Sequence, residues 1–212
     1  MTTSSRGDEV LDYRTLRQVV GALGWLLPIV LALWGFLLCG RIELQSSISA
    51  YYDLRTRDVL VGTLFAIAWF LYAYRPYEAD PDPVAGKCAC FFALGVALFP
   101  ESGSGLERAV HFISALGLFF TLSCFCLFLF TRSGAYQTPR KKIRNRIYKI
   151  CGVSILICIG LIGLYYWLGQ DTALAAIKPV FWLESAALWF FGVSWAIKGE
   201  LLWKDVDAAP EP

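Results

Sequence analysis

The sequence is poor in charged residues. Of its 212 residues, 17% are charged and 57% are hydrophobic, and the mean hydropathy is +0.55. A typical soluble domain carries about 25% charged residues, so this composition excludes an ordinary soluble protein and indicates a membrane protein. The net charge of +2 is too small to indicate a nucleic-acid partner. The positions of the charged residues are therefore more informative than their number.

Histidine is scarcer still, since His111 is the only one. A zinc site usually takes three or four protein ligands, so one histidine argues against zinc. Cys88 and Cys90 form a C-x-C pair, as do Cys124 and Cys126, but all seven cysteines lie inside or at the rim of apolar segments. We interpret them as small hydrophobic side chains. The sequence therefore predicts no metal site, no cofactor and no extramembrane disulfide framework.

Long apolar runs are what the sequence has in abundance. The N-terminus lacks the layout of a cleaved secretory signal, so the first run is expected to be retained as a membrane helix. A spanning helix needs about 20 mostly apolar residues. We predict an all-α integral membrane protein with a six-helix transmembrane domain at residues 19–198, an N-terminal segment at 1–18 and a tail at 199–212. The predicted spans are residues 19–39, 59–74, 84–99, 109–131, 150–168 and 179–197.

Positive charge is concentrated between the fourth and fifth runs. The connection TRSGAYQTPRKKIRNRIYK holds seven Lys and Arg residues and no acidic residue. Short loops rich in Lys and Arg stay in the cytoplasm, which predicts cytoplasmic N and C termini and a location in the inner (plasma) membrane. We interpret this connection as a topology determinant rather than a specific anionic-lipid site. The loops after the first, third and fifth runs then face outward.

Two ionisable residues lie about one turn inside predicted spans, both entering from the outer side. They are His111 in ERAVHFISALG and Glu184 in KPVFWLESAAL. Ionisable residues inside a bilayer are costly and are functional candidates by default. Glu107, His111 and Ser114 are spaced to share one helix face. If chemistry occurs, His111 and Glu184 are the candidate catalytic bases.

The polar stretch SSISAYYD, residues 46–53, is expected at the same level of the membrane. Its hydroxyls are suited to a phosphate, a sugar or a lipid headgroup, and Ser47 or Ser49 would be a nucleophile if His111 reached it. The alternative is that Ser and Asp cap turns while the tyrosines anchor the interface. We predict an outward-opening polar cavity with the ligand-binding residues Ser46, Ser47, Ser49, Tyr51, Tyr52, Asp53, Asp58, Glu101 and Ser114.

Several segments carry a resemblance to known proteins: SISAYY, RDVLVGTLFAIAWFLYAYRPYE, AGKCACFFALGVALFP, HFISALGLFF, RKKIRNRIYKICG and FWLESAALWFFGVSWAIKGE. After about residue 40 the chain resembles a family of bacterial multi-pass membrane proteins of unknown function. More distantly, its layout is similar to the Frag/DRAM/Sfk superfamily, which includes proteins linked to lipid remodelling of GPI anchors and to autophagy. This second resemblance implies a lipid-associated role, with the 46–53 loop and His111 near the working end. The chain departs from ceramidase-like hydrolases, which use several histidines around zinc.

The expected function is recognition or processing of a lipid or lipid-linked headgroup, with membrane lipids as partners. Whether the protein is an enzyme stays open, as does a homo-oligomeric state. A small-solute or ion transporter or channel is the first alternative, and it requires a polar track continuing past His111 towards the basic connection. A structural or partner-binding protein is the second, and it predicts that His111 pairs with Glu184 and closes the cavity.

Overall fold

The computed structural model describes residues 5–39, 44–74, 84–132, 138–168 and 173–201. Within these ranges the chain is all-α, as predicted, with no β-strand. Two short 3-10 segments, Ser49–Asp53 and Ala173–Ile177, lie between helices. The helices are α1 Ser5–Cys39, α2 Arg57–Ala73, α3 Val84–Leu98, α4 Gly105–Cys124, α5 Pro139–Leu168 and α6 Pro179–Lys198.

Among the described residues, four helical stretches are long and apolar enough to cross a membrane: Arg14–Trp34, Gly105–Leu129, Pro139–Leu168 and Pro179–Lys198. In the second of them, a π-helical turn at Phe125–Leu129 extends α4. The helices α2, with 17 residues, and α3, with 15, are shorter. Large apolar side chains such as Trp69, Phe91, Ile113 and Trp167 are exposed on the outside of the bundle. Lipid tails would cover such a surface. Length and composition thus support a membrane protein, while six crossings remain a prediction.

The helices form a ring. Each packs against its neighbours in chain order, and α1 packs against α6 to close the circle. Glycines allow this closing contact: a Cβ atom on Gly192 would lie 2.7 Å from the carbonyl oxygen of Gly21, and one on Gly21 would lie 2.9 Å from that of Gly192. Small residues let membrane helices approach closely. The first and last helices therefore meet backbone to backbone.

Four helices begin earlier than the predicted spans: α1 at Ser5, α2 at Arg57, α4 at Gly105 and α5 at Pro139. Ser104 caps α4 in a capping box with Glu107, and Pro139 suits the first position of a helix. Much of the basic connection, predicted as a loop, therefore forms the first turns of α5. Hydropathy finds the apolar part of a helix, whereas caps and helix propensity set its ends.

The two ends of the ring differ. The loop end consists of residues 44–56, 99–104 and 173–178, and the basic end of residues 74, 130–132, 138–149 and 198–201. Near the basic end, aromatic side chains that are almost fully buried fill the centre of the ring of helices. The centroids of neighbouring aromatic rings lie close together, for example those of Tyr74 and Trp195 at 4.9 Å. This aromatic cluster consists of Tyr74, Phe125, Phe130, Tyr148 and Trp195.

Candidate functional site

The segment after α1 folds into the mouth of the ring at the loop end. Its backbone turns through the 3-10 segment Ser49–Asp53 and reaches α2 at Arg57. Side chains satisfy its polar groups, as buried backbone requires: the Ser47 hydroxyl accepts a bond from the Ala50 N–H, and the Thr56 hydroxyl donates to the Tyr51 carbonyl. Five of its side chains are buried, namely Ser47, Ile48, Ser49, Tyr51 and Thr56. The loop is thus a plug, not an exposed connection.

Glu184 holds this plug to α6. The Ile48 N–H donates a hydrogen bond to Glu184 Oε2 at 2.6 Å, and the Phe181 N–H donates to the Ser46 carbonyl at 3.1 Å. A buried backbone N–H needs such an acceptor. The loop is therefore attached to the first turns of α6 by two bonds.

His111 holds the plug to α4. Its side chain is only 3% exposed, with Nδ1 2.7 Å from the Phe99 carbonyl oxygen and Nε2 3.1 Å from Ser49 Oγ. A carbonyl oxygen can only accept, so the neutral imidazole carries its proton on Nδ1. This leaves the Nε2 lone pair to accept the Ser49 hydroxyl proton. The Phe99 carbonyl thereby fixes the tautomer of the ring.

Glu101 makes a third attachment. The Ser47 hydroxyl lies 2.9 Å from both carboxylate oxygens of Glu101, and Arg108 Nε donates to the Glu101 carbonyl at 3.1 Å. Burial raises the pKa of the Glu101 carboxyl above its ordinary value, and the bond from Ser47 offsets part of this rise. Burial also raises the pKa of the Tyr51 hydroxyl, offset in part by the Gln45 backbone. These carboxyl and phenol groups therefore lie in poorly hydrated surroundings.

Beside the plug lies an open cavity of about 640 Å³. Two cationic side chains, Arg108 and Lys178, line it together with the carboxyl of Glu101. Lys178 adopts a left-handed backbone conformation, with φ of 53°, where it caps the start of α6. The remaining polar and aromatic lining comes from Ser46, Ser102, Phe112, Tyr165 and Tyr166. We call this space the polar cavity.

A second, narrow cavity of about 50 Å³ lies under the plug in the centre of the ring. Its walls are almost entirely apolar, with Leu27, Ile67 and Leu122 among them. Ser49 and Glu184 are its polar lining residues, at the end beneath the loop. The plug therefore separates a polar cavity from an apolar one.

The structure brings most of the sequence-predicted site residues to this plug. Ser46 and Glu101 line the polar cavity, whereas Ser47, Ser49 and Tyr51 are buried within the loop. No hydrogen bond joins His111 to Glu184 in the described part of the chain, because each bonds to the loop instead. The direct pair considered from the sequence is thus replaced by two separate contacts with the loop.

Four predicted residues lie at the margin. Asp53 is exposed and accepts a bond from the Ser102 hydroxyl at 2.9 Å, and Tyr52 is bonded to Arg57. Asp58 is exposed in the first turn of α2 and does not line the polar cavity. Ser114 is buried against Gly95, where it packs α4 onto α3.

Sequence reasoning missed most of the cavity wall. Arg108, Lys178, Tyr165 and Tyr166 belong to three different helix ends, and only the closed ring brings them together. The sequence does indicate the depth of these four residues in the membrane, because each lies within a few residues of a predicted outer loop. A level alone does not tell which helices are neighbours.

The fold and site define a class: an all-helical bundle with an apolar exterior and a plugged, polar mouth. Within the described ranges no three His, Cys, Asp or Glu side chains are grouped as metal ligands. The chain matches no protein-family profile, no curated protein and no solved structure. The function is therefore inferred from the site itself.

Proposed function

We propose that this chain is a six-span plasma-membrane protein that binds a lipid or lipid-linked headgroup in the polar cavity, which we therefore call the headgroup cavity. The observation that carries the proposal is this cavity of about 640 Å³, which contains two cations and a carboxyl at one end of an apolar bundle. Ligand cavities usually measure about 300–1,000 Å³. The space suits a polar group of that size whose tails lie in the bilayer.

The lining favours a phosphate-bearing headgroup. The Arg108 guanidinium uses Nε for the Glu101 carbonyl, which leaves its terminal nitrogens to bind phosphate oxygens. Lys178 adds a second positive charge, and Glu101 adds an acceptor for an ammonium or hydroxyl group. Phe112, Tyr165 and Tyr166 supply apolar surface with polar edges, as aromatic residues do at membrane interfaces.

Charge distribution supports an outward-facing cavity. Lys142, Arg146 and Lys149 are exposed on α5 at the basic end, opposite the headgroup cavity. Positively charged residues favour the cytoplasmic side, so we assign the basic end and both termini to the cytoplasm. The headgroup cavity then opens towards the outer leaflet.

A solute or ion pathway is less well supported. Such a pathway requires polar groups beyond His111, towards the basic end. Past the plug, the described centre of the ring is the narrow apolar cavity and then the aromatic cluster. A purely structural role is less well supported too, because the polar mouth contains open space.

Native mass spectrometry of the full-length protein, purified from its membrane in mild detergent, tests the proposal. We expect the wild type to retain a phospholipid, and the Arg108→Ala/Lys178→Ala double variant to retain at least about tenfold less, as loss of charge-assisted bonds predicts. Arg55→Ala is the matched control, because Arg55 is an exposed cation at the same end that does not line the cavity. Equal retention by all three proteins would refute the proposal.

A further inference from the structure

We infer that Ser49 is a nucleophile, activated by His111, that accepts an acyl group from a lipid ester. The lipid as substrate rests on the proposed function, whereas the Ser49–His111 pair rests on its own geometry. From the sequence, Ser47 and Ser49 are equal candidates for the nucleophile. The structure separates them, because Ser47 bonds to Glu101 and Ser49 bonds to His111.

The pair has the arrangement that activates a serine. Ser49 Oγ lies 3.1 Å from His111 Nε2, within the reach of about 2.6–3.2 Å that proton transfer requires. The Phe99 carbonyl, 2.7 Å from Nδ1, orients the ring and keeps Nε2 free of its proton in the neutral form. An orienting acceptor, a base and a nucleophile in line are the three elements of serine activation.

Ser49 also lies where a lipid ester would need it. The neighbouring Ser46 lines the polar headgroup cavity, while Ser49 lines the apolar cavity among Leu27, Leu60 and Leu118. An ester in a lipid joins a polar headgroup region to an acyl chain, so it belongs at such a boundary. The apolar cavity is small and has room for only the first carbons of a chain.

The reaction balances without a metal or a redox partner. Ser49 Oγ attacks the ester carbonyl carbon while its proton passes to His111 Nε2. The bond from that carbon to the alcohol oxygen then breaks, and the leaving alcohol takes the proton from Nε2. Water next attacks the acyl-serine, loses its proton to Nε2 and releases a carboxylic acid, and Nε2 returns that proton to the Ser49 oxygen.

Ser49 is 7% exposed, which makes a small reactive probe the appropriate test. Purified full-length protein is incubated with a short-chain alkyl fluorophosphonate, and the adduct is located by peptide mass spectrometry. We expect one adduct, on Ser49, and none in Ser49→Ala. His111→Gln keeps an amide beside Ser49 but cannot accept a proton, so the labelling rate should fall about 10²-fold or more.

Ser194→Ala is the matched control. Ser194 is a fully buried hydroxyl far from the plug and is bonded within α6, so its variant should be labelled like the wild type. Absence of an adduct in the wild type, an adduct on another residue, or unchanged labelling of His111→Gln would each overturn the inference. The last two do not depend on the folding of Ser49→Ala.

The two experiments test lipid binding and the Ser49 nucleophile separately. The fluorophosphonate has no headgroup, so its reaction reports on Ser49 and His111 alone. Lipid retention by the Arg108→Ala/Lys178→Ala variant reports on the headgroup cavity alone. Lipid retention without labelling would leave a binding protein, and labelling without lipid retention would leave an acyl-accepting serine with another substrate.

Discussion

The loop end and the basic end bury polar side chains in different surroundings. At the loop end, Ser49 and His111 form directional bonds beside an open cavity. At the basic end, the Arg144 guanidinium donates a hydrogen bond to the Ile197 carbonyl, and Lys198 Nζ lies 5.6 Å from the centre of the Phe130 ring. There the buried cations are packed on aromatic rings and backbone, with the aromatic cluster filling the space.

This difference separates two roles within one bundle. Close aromatic packing stabilises a single arrangement and leaves no room for a ligand. A hydrogen-bonded plug beside a cavity is packed less closely than the aromatic cluster, but its polar groups are accessible. We therefore expect the basic end to determine stability and the loop end to determine binding.

The largest expected effect is loss of the aromatic cluster. Trp195 is fully buried and contacts Tyr74, Phe125 and Phe130, so Trp195→Ala should lower the free energy of unfolding by about 3–5 kcal/mol. Thermal unfolding in detergent measures this change. Lipid retained per folded molecule should stay unchanged, and a variant that is stable but lipid-free would contradict the separation of roles.

A smaller effect is expected at the attachment of the plug. Glu184→Leu leaves the Ile48 N–H without its acceptor and should lower the free energy of unfolding by about 1–3 kcal/mol. Glu184→Gln keeps a carbonyl oxygen at that position and should lower it by less. The same unfolding assay compares the two variants, and an equal loss in both would show that the hydrogen bond is not what Glu184 contributes.

The smallest effect is a dependence on pH. Burial raises the folded-state pKa of Glu101 above the unfolded value of about 4.3, so between these two values the folded protein binds more protons than the unfolded chain. The contribution of Glu101 to stability is therefore greatest below that window and falls as pH rises through it.

Glu101→Gln does not titrate and should flatten this part of the stability profile. Melting temperatures measured from about pH 4 to pH 7 test the prediction. Asp58→Asn serves as the control for removal of one carboxylate near this end, because Asp58 is exposed in the first turn of α2. A Glu101→Gln profile parallel to that of the wild type would show that another group causes the slope.

The all-α class and the level of the polar residues follow from the sequence alone. Apolar runs fix where helices pass, and counting from their ends puts His111, Glu184 and residues 46–53 at one level. The structure brings His111 of α4 and Glu184 of α6 onto the same loop. This much could be predicted because burial of apolar runs is the dominant constraint on such a chain.

The individual partners could not be predicted. That Ser49 and not Ser47 bonds to His111 depends on the short 3-10 turn that begins at Ser49, which rotates the two hydroxyls apart. Arg108 and Lys178 share a cavity only because the ring closes in a particular order. Local spacing carries no information on which helix ends become neighbours.

A density map of the wild-type protein in nanodiscs of its native lipids would show whether the cavity holds a lipid headgroup. We expect headgroup density in the cavity, with a phosphate between Arg108 and Lys178 and the lipid tails leading into the bilayer. An empty, water-filled cavity in a map that shows ordered lipids elsewhere on the bundle would contradict this expectation.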